Sequence, residues 1–143
     1  MKSRLVVRVE FGDTDPAAIV FYPNFFRWYD ASAWRLFVKA GLTLEAFREE
    51  FGLIGVPIVE ARSKFIKPLR FGDSVEITSY VATWKRKTFE VVHEVRKDGE
   101  MTTEGLEIRV CAKLLEDGSE GIRAVPVPDE LRRRLSTSQS DDL

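Results

Sequence analysis

The chain has 143 residues, a net charge of −1, 44% hydrophobic and 31% charged residues. That balance suits one globular domain and argues against bulk binding to nucleic acid. Cys111 is the single cysteine, which excludes an intramolecular disulfide and zinc-finger spacing. No apolar run approaches the ~20 residues of a membrane span, and Met1-Lys2-Ser3-Arg4 runs into alternating sequence with no room for a secretory signal. The expectation is a cytoplasmic protein without a membrane partner.

Leu5 to Phe11 alternates apolar and charged residues, which predicts a first strand with Leu5, Val7, Val9 and Phe11 on one face. A loop rich in turn-formers follows, and Pro23 marks the start of a long helix, because a proline in the first turn sacrifices no intrahelical bond. Tyr22, Phe25, Phe26, Tyr29, Ala33, Leu36, Phe37 and Ala40 recur at three- and four-residue spacing and form one stripe. Gly41 ends this helix, and Leu44 to Phe51 predicts a short second helix stopped by Gly52. From Leu53 the period becomes two. Ile58 to Phe71 is a long strand interrupted at Pro68, and Val75, Ile77, Ser79 and Val81 line the next. Lys85-Arg86-Lys87 breaks the pattern before Phe89, Val91, His93 and Val95. Asp98-Gly99 is a hairpin turn. Leu106, Ile108, Val110, Ala112 and Leu114 continue, and Asp117-Gly118 turns into Ile122 to Val127. Asp129 to Leu135 predicts a last short helix, and residues 136–143 a polar, disordered tail. The reading is α+β: one domain, 1–135, in which four or five antiparallel strands curve around the helix stripe.

The start of the long helix presents unpaired N–H groups and the positive end of a dipole. Asp15 lies in the loop just ahead of it. A carboxylate beside amides that could receive an oxyanion is minimal equipment for hydrolysing an acyl group. Taken alone, however, Asp15 before Pro16 reads first as a turn residue. Asp13 reads as a structural acceptor of backbone N–H groups. Asp30 reads as a solvated helix acid near Arg27, and Lys85-Arg86-Lys87 as a solvated strand end. His93, the single histidine, falls on an apolar face and reads as a satisfied core or interface residue. Cys111 reads as a small buried hydrophobe. No serine sits in a nucleophile elbow, and metal ligands at workable spacing are missing from the sequence.

The run Glu10-Phe11-Gly12-Asp13-Thr14-Asp15-Pro16-Ala17-Ala18-Ile19-Val20-Phe21-Tyr22-Pro23-Asn24 resembles the signature of hotdog-fold acyl-coenzyme A thioesterases of the 4-hydroxybenzoyl type. The likeness continues at Gly55-Val56-Pro57-Ile58-Val59, Trp84-Lys85-Arg86-Lys87-Thr88-Phe89 and Glu107-Ile108-Arg109-Val110. The resemblance implies a hotdog fold, homodimers or homotetramers, active sites at the subunit boundary, an acyl-CoA substrate and no cofactor. It implies that Asp15 is the catalytic carboxylate and that the Tyr22 N–H polarises the thioester carbonyl. It assigns Asp30 to a substrate ring hydroxyl, and Lys85, Arg86, Lys87, Thr88 and Arg123 to coenzyme A. Two departures stand out: Ala18 where the family often carries glycine, and Val56 where the aryl enzyme has a threonine. The favoured activity is hydrolysis of an aromatic, hydroxybenzoyl-type acyl-CoA. The alternatives are a short-chain acyl-CoA or carrier-protein thioesterase, and a non-catalytic acyl-CoA-binding module.

Overall fold

The computed structural model describes residues 1–137. Strand β1 (Lys2–Arg8) leads through a 3₁₀ turn at Phe11–Asp13 and a loop into α1 (Pro23–Lys39) and α2 (Leu44–Glu49). Strands β2 (Ile58–Phe65), β3 (Ser74–Trp84), β4 (Thr88–Lys97) and β5 (Glu100–Val110) follow, then β6 (Ala112–Leu114), β7 (Ile122–Ala124) and α3 (Asp129–Ser136). The main sheet is antiparallel with order β1-β3-β4-β5-β2, and β6 and β7 form a separate ribbon. The long helix lies across one face of this sheet.

Pro23 is the first residue of α1, and Gly41 takes the left-handed conformation (φ 76°) that releases the chain at its end. Phe25, Tyr29, Ala33, Leu36, Phe37 and Ala40 are buried as the stripe predicts, and Trp28 and Ser32 widen the buried face. Each large side chain removed from water here contributes about 1.5–3 kcal/mol. One packing detail fixes the helix height over the sheet. The Tyr29 ring stacks on His93 (4.9 Å, 7°) and lies against Gly105, where a Cβ atom would fall 2.5 Å from the ring.

Several elements differ from the sequence reading, and Tyr22 of the predicted stripe is 59% exposed. The first strand ends at Arg8: a reciprocal capping box between Glu10 and Asp13 closes the 3₁₀ turn, and Phe11, 74% exposed, stacks edge-on against Phe71 outside the core. The strand read as Ile58 to Phe71 stops at Phe65, because the Ile66 and Lys67 N–H groups both turn to the Thr102 carbonyl ahead of Pro68. In β5 the apolar residues Leu106 and Ile108 face away from the helix, while Thr103, Gly105, Glu107 and Arg109 are buried beneath it. The period of two was right, but the inner face carries charges that partner one another: Glu107 is met by His93 and Arg109, and Arg109 by Asp30 of α1. Strand β2 is an edge on which every residue but Ser63 is exposed. Helix α3 includes Ser136, so the predicted tail does not begin there, and residues 138–143 of that tail lie outside the described residues. No helix among the described residues is long and apolar enough to cross a membrane.

Candidate active site

The loop between the 3₁₀ turn and α1 is tied by its own backbone. Asp15 donates its N–H to Ile19 O (2.9 Å) and accepts from Ala18 N at its carbonyl (2.8 Å), while its Oδ1 accepts from Ala17 N–H (2.8 Å). This tight turn forces Ala18 into the left-handed region (φ 62°), which is the physical reason a glycine suits the position. Asp13 buttresses the loop: Oδ2 accepts Glu10 N–H (2.9 Å), Oδ1 meets Arg27 (3.4 Å), and its carbonyl accepts from Phe21 N and Asn24 Nδ2. At the helix start, Asn24 N–H and Phe25 N–H are taken by Phe21 O and Tyr22 O. The Tyr22 N–H donates to no group among the described residues, and neither does any of them donate to Asp15 Oδ2. One free N–H at the positive end of a helix and one open carboxylate oxygen therefore occupy the same loop-helix junction.

A second feature lies further along α1. A cavity of about 390 Å³ is walled by Asp30, Trp34, Val56, Ile58, Arg109 and Ile122 among others. Asp30 does not pair with Arg27; Arg109 of β5 donates to its Oδ1 at 2.9 Å. Arg109 is only 3% exposed, and each of its nitrogens is engaged: Nε on Glu107, Nη1 on Val56 O (3.1 Å), Nη2 on Asp30 and Glu107. The guanidinium also sits over the Phe37 ring at 5.2 Å. Glu107 accepts in turn from His93 Nε2 (2.9 Å), and His93 Nδ1 shares a hydrogen with Ser79 (2.6 Å), which bonds Ser32 (2.6 Å). Burial pushes the Glu107 carboxyl up, but His93 and Arg109 outweigh it and hold it below the usual carboxylate range. His93 is thus a fully buried, satisfied core residue. Burial likewise pushes the Tyr29 hydroxyl up to about 12 and the Cys111 thiol up to about 12.

Asp15 and Tyr22 do not line the cavity that holds Asp30. Within one chain the structure therefore leaves these candidates in two places. Lys85, Arg86 and Lys87 form the β3–β4 turn, whose carbonyls accept from Arg132 Nη2, Val127 N and Cys111 N. No acid among the described residues pairs with these three cations, and the Lys85 and Arg86 side chains are exposed. Thr88 opens β4 beside them. Arg123, on β7, meets Glu116 at 3.3 Å in an exposed pair that solvent screens and a phosphate could replace. Sequence reasoning assigned no role to Glu107 and Arg109. The signal was two opposite charges at alternate positions between the apolar residues Leu106, Ile108 and Val110.

A five-stranded antiparallel sheet wrapped on one long helix, with a carboxylate ahead of that helix, defines the hotdog class of thioester hydrolases. The profile of the thioesterase-like superfamily matches residues 9–135, and the chain belongs to this family as an acyl-CoA thioesterase. It is 38% identical over 129 residues to the 4-hydroxybenzoyl-CoA thioesterase of Pseudomonas sp. strain CBS-3, covering 85% of this chain and 88% of that protein. The solved structure of that thioesterase superposes with a TM-score of 0.83 at 34% identity, covering 93% of this chain and 98% of its own. A solved gentisyl-coenzyme A thioesterase gives a TM-score of 0.76 at 32% identity, with 94% and 100% covered. The 1,4-dihydroxy-2-naphthoyl-CoA hydrolase of Thermosynechococcus vestitus is 28% identical over 134 residues, 93% of this chain and 88% of that protein.

Proposed function

We propose that the protein hydrolyses a hydroxybenzoyl-type acyl-CoA to the free acid and coenzyme A, without a cofactor. The observation that carries the substrate is Asp30, a carboxylate in the wall of an otherwise largely apolar cavity, with one oxygen anchored by Arg109 and the other open. A ring hydroxyl is the neutral donor that such an acceptor takes. The names of the aryl-CoA relatives support the same substrate class.

The chemistry follows from the loop-helix junction. The thioester carbonyl oxygen accepts the Tyr22 N–H, whose alignment with the helix dipole stabilises charge developing on that oxygen. The open Oδ2 of Asp15 attacks the carbonyl carbon, the C–S bond breaks, and coenzyme A leaves as a thiolate that takes a proton from solvent. Water then cleaves the resulting anhydride and restores the carboxylate. Lys85, Arg86, Lys87, Thr88 and Arg123 hold the coenzyme A phosphates as charge-assisted partners. Because Asp15 and Asp30 of one chain do not share a cavity, the site is composite: Asp15 and Tyr22 of one copy act on a ring held by Asp30 of another, in a homodimer or homotetramer.

The test is Asp15→Asn assayed with a panel of hydroxybenzoyl, benzoyl, dihydroxynaphthoyl and short aliphatic thioesters, following free thiol. Turnover falls by at least about 10²–10⁴-fold while coenzyme A affinity stays similar. Full activity in the folded variant would remove Asp15 from the chemistry. A preference for the bicyclic thioester would replace the monocyclic reading, which the naphthoyl relative keeps as the alternative.

A further inference from the structure

The acid in the cavity wall does not stand alone. Asp30 side-chain atoms are 52% exposed, yet its partner Arg109 is buried. The holding comes from below, through Glu107, whose oxygens receive Arg109 Nε and Nη2 at 3.2–3.3 Å and His93 Nε2 at 2.9 Å. A carboxylate can only accept, so every one of these groups donates toward Glu107. The Val56 carbonyl fixes the remaining face of the guanidinium at 3.1 Å, and Phe37 lies beneath it at 5.2 Å. Arg109 is consequently held in place, with four of its five N–H groups engaged, before any substrate arrives.

Two consequences follow for the cavity. Asp30 Oδ1 is taken by Arg109 at 2.9 Å, so its other oxygen faces the cavity as an acceptor of hydrogen bonds. With a single Nη1 hydrogen left over, the guanidinium offers no two-point fork to an anion on the substrate. We infer that Arg109 is a specificity-determining positioning residue. Held by Glu107, it locks Asp30 as an oriented acceptor, so the cavity selects an acyl ring bearing a neutral hydroxyl and rejects one bearing a carboxylate. The inference rests on the hydroxyaryl reading given above and adds the group that enforces it. Arg109 itself touches no reacting atom; it acts through Asp30.

The experiment compares kcat/KM for 4-hydroxybenzoyl-CoA, benzoyl-CoA and 4-carboxybenzoyl-CoA in the full-length wild type and in Arg109→Lys, Arg109→Met and Asp30→Ala. In the wild type the hydroxyl ring is preferred over benzoyl, and the carboxylated ring is the poorest of the three. Asp30→Ala removes the hydroxyl preference. Arg109→Lys keeps a point charge without the planar fork and loses about tenfold of that preference, mainly in KM, while Arg109→Met abolishes it. In the Asp30→Ala background, Arg109→Lys changes the ratio no further, because the two residues act as one unit. Merely structural damage would depress all three substrates alike and leave their ratios intact. Should Arg109→Met not fold, Arg109→Lys with its double variant decides. A wild-type enzyme without hydroxyl preference overturns the substrate reading, and this inference with it. A wild-type preference that Asp30→Ala removes but Arg109→Lys leaves whole overturns the inference alone.

Discussion

Gly105→Ala is the sharpest test of how the helix is seated on the sheet. A Cβ at this position would lie 2.5 Å from Cε2 and Cζ of Tyr29 and 2.9 Å from Cδ2. Carbon atoms rest at about 3.5–4.0 Å, so the ring must retreat by about 1 Å. It has little room to do so. His93 stacks on one side at 4.9 Å, the Tyr29 hydroxyl bonds Ser63 at 2.7 Å, and Phe25 and Phe26 pack around it at 6.4 and 5.9 Å. Overpacking of this kind costs typically 1–3 kcal/mol. The stack and the Ser63 bond both weaken if the ring moves, which places the change at the upper end, about 3 kcal/mol. For a chain of this size that is a drop of roughly 10 °C in Tm. The assay is calorimetric unfolding at fixed protomer concentration, since any association would make Tm concentration-dependent. The partner variant is Tyr29→Leu: alone it destabilises by leaving a cavity, but combined with Gly105→Ala it loses less than the sum of the two. An unchanged Tm in Gly105→Ala would show that the ring slides freely and that Gly105 does not seat the helix.

Two further outcomes are expected from single changes. Ala18→Gly relieves a left-handed residue (φ 62°), and after the entropy cost of glycine it stabilises the chain by about 0.5–1 kcal/mol, read as a rise in Tm; a lower Tm would mean that the alanine methyl makes a packing contact. Glu107 has a folded-state carboxyl held below the usual range by His93 and Arg109 against burial, so its stabilisation is present above the ordinary carboxylate pKa and is lost as pH falls through the depressed one. Glu107→Gln should therefore lower stability at neutral pH by about 1–3 kcal/mol and flatten the acid limb of the stability curve; an acid limb parallel to the wild type would argue against that linkage.

Features written locally were legible in the sequence. Pro23, the aromatic stripe and Gly41 define α1 without reference to any other segment, and the Asp98-Gly99 hairpin is as plain, with both residues at positive φ. The loop around Asp15 was legible because most of its bonds run between residues 10 and 24, although Val20 N–H and Ala18 O also bond Leu69 and Arg70. The environment of Asp30 was not, since its partner lies 79 residues away. A period of two shows that β5 has two faces but not which one α1 covers. Hydropathy pointed to Leu106 and Ile108, yet the buried face carries Glu107 and Arg109, whose charges are met by each other, by His93 of the neighbouring strand and by Asp30 of α1. His93 was placed correctly on the inner face for the same reason that Glu107 was missed: one reads as ambiguous, the other as solvent-facing.

The separation of Asp15 from the Asp30 cavity leads to the last prediction. Strand β2 is a bare edge of the sheet, carries Ile58 of the cavity wall, and exposes Val59 and Phe65. An unpaired edge with apolar side chains invites a second copy. Pairing there would cover those residues and bring another chain to the side of the cavity. If the site is composite, two damaged chains can repair one another. Asp15→Asn supplies an intact Asp30, Asp30→Ala supplies an intact Asp15, and a mixed dimer contains one site with both. Denaturing and refolding the two variants together should give hydroxybenzoyl-CoA hydrolysis above the mean of the separate proteins, approaching about a quarter of wild type, because half of random dimers are mixed and each restores one of two sites. Refolding each variant alone controls for recovery. Activity no greater than the mean, with mixed oligomers demonstrated by differently tagged chains, would place Asp15 and Asp30 of a single chain in one site and refute the division between copies.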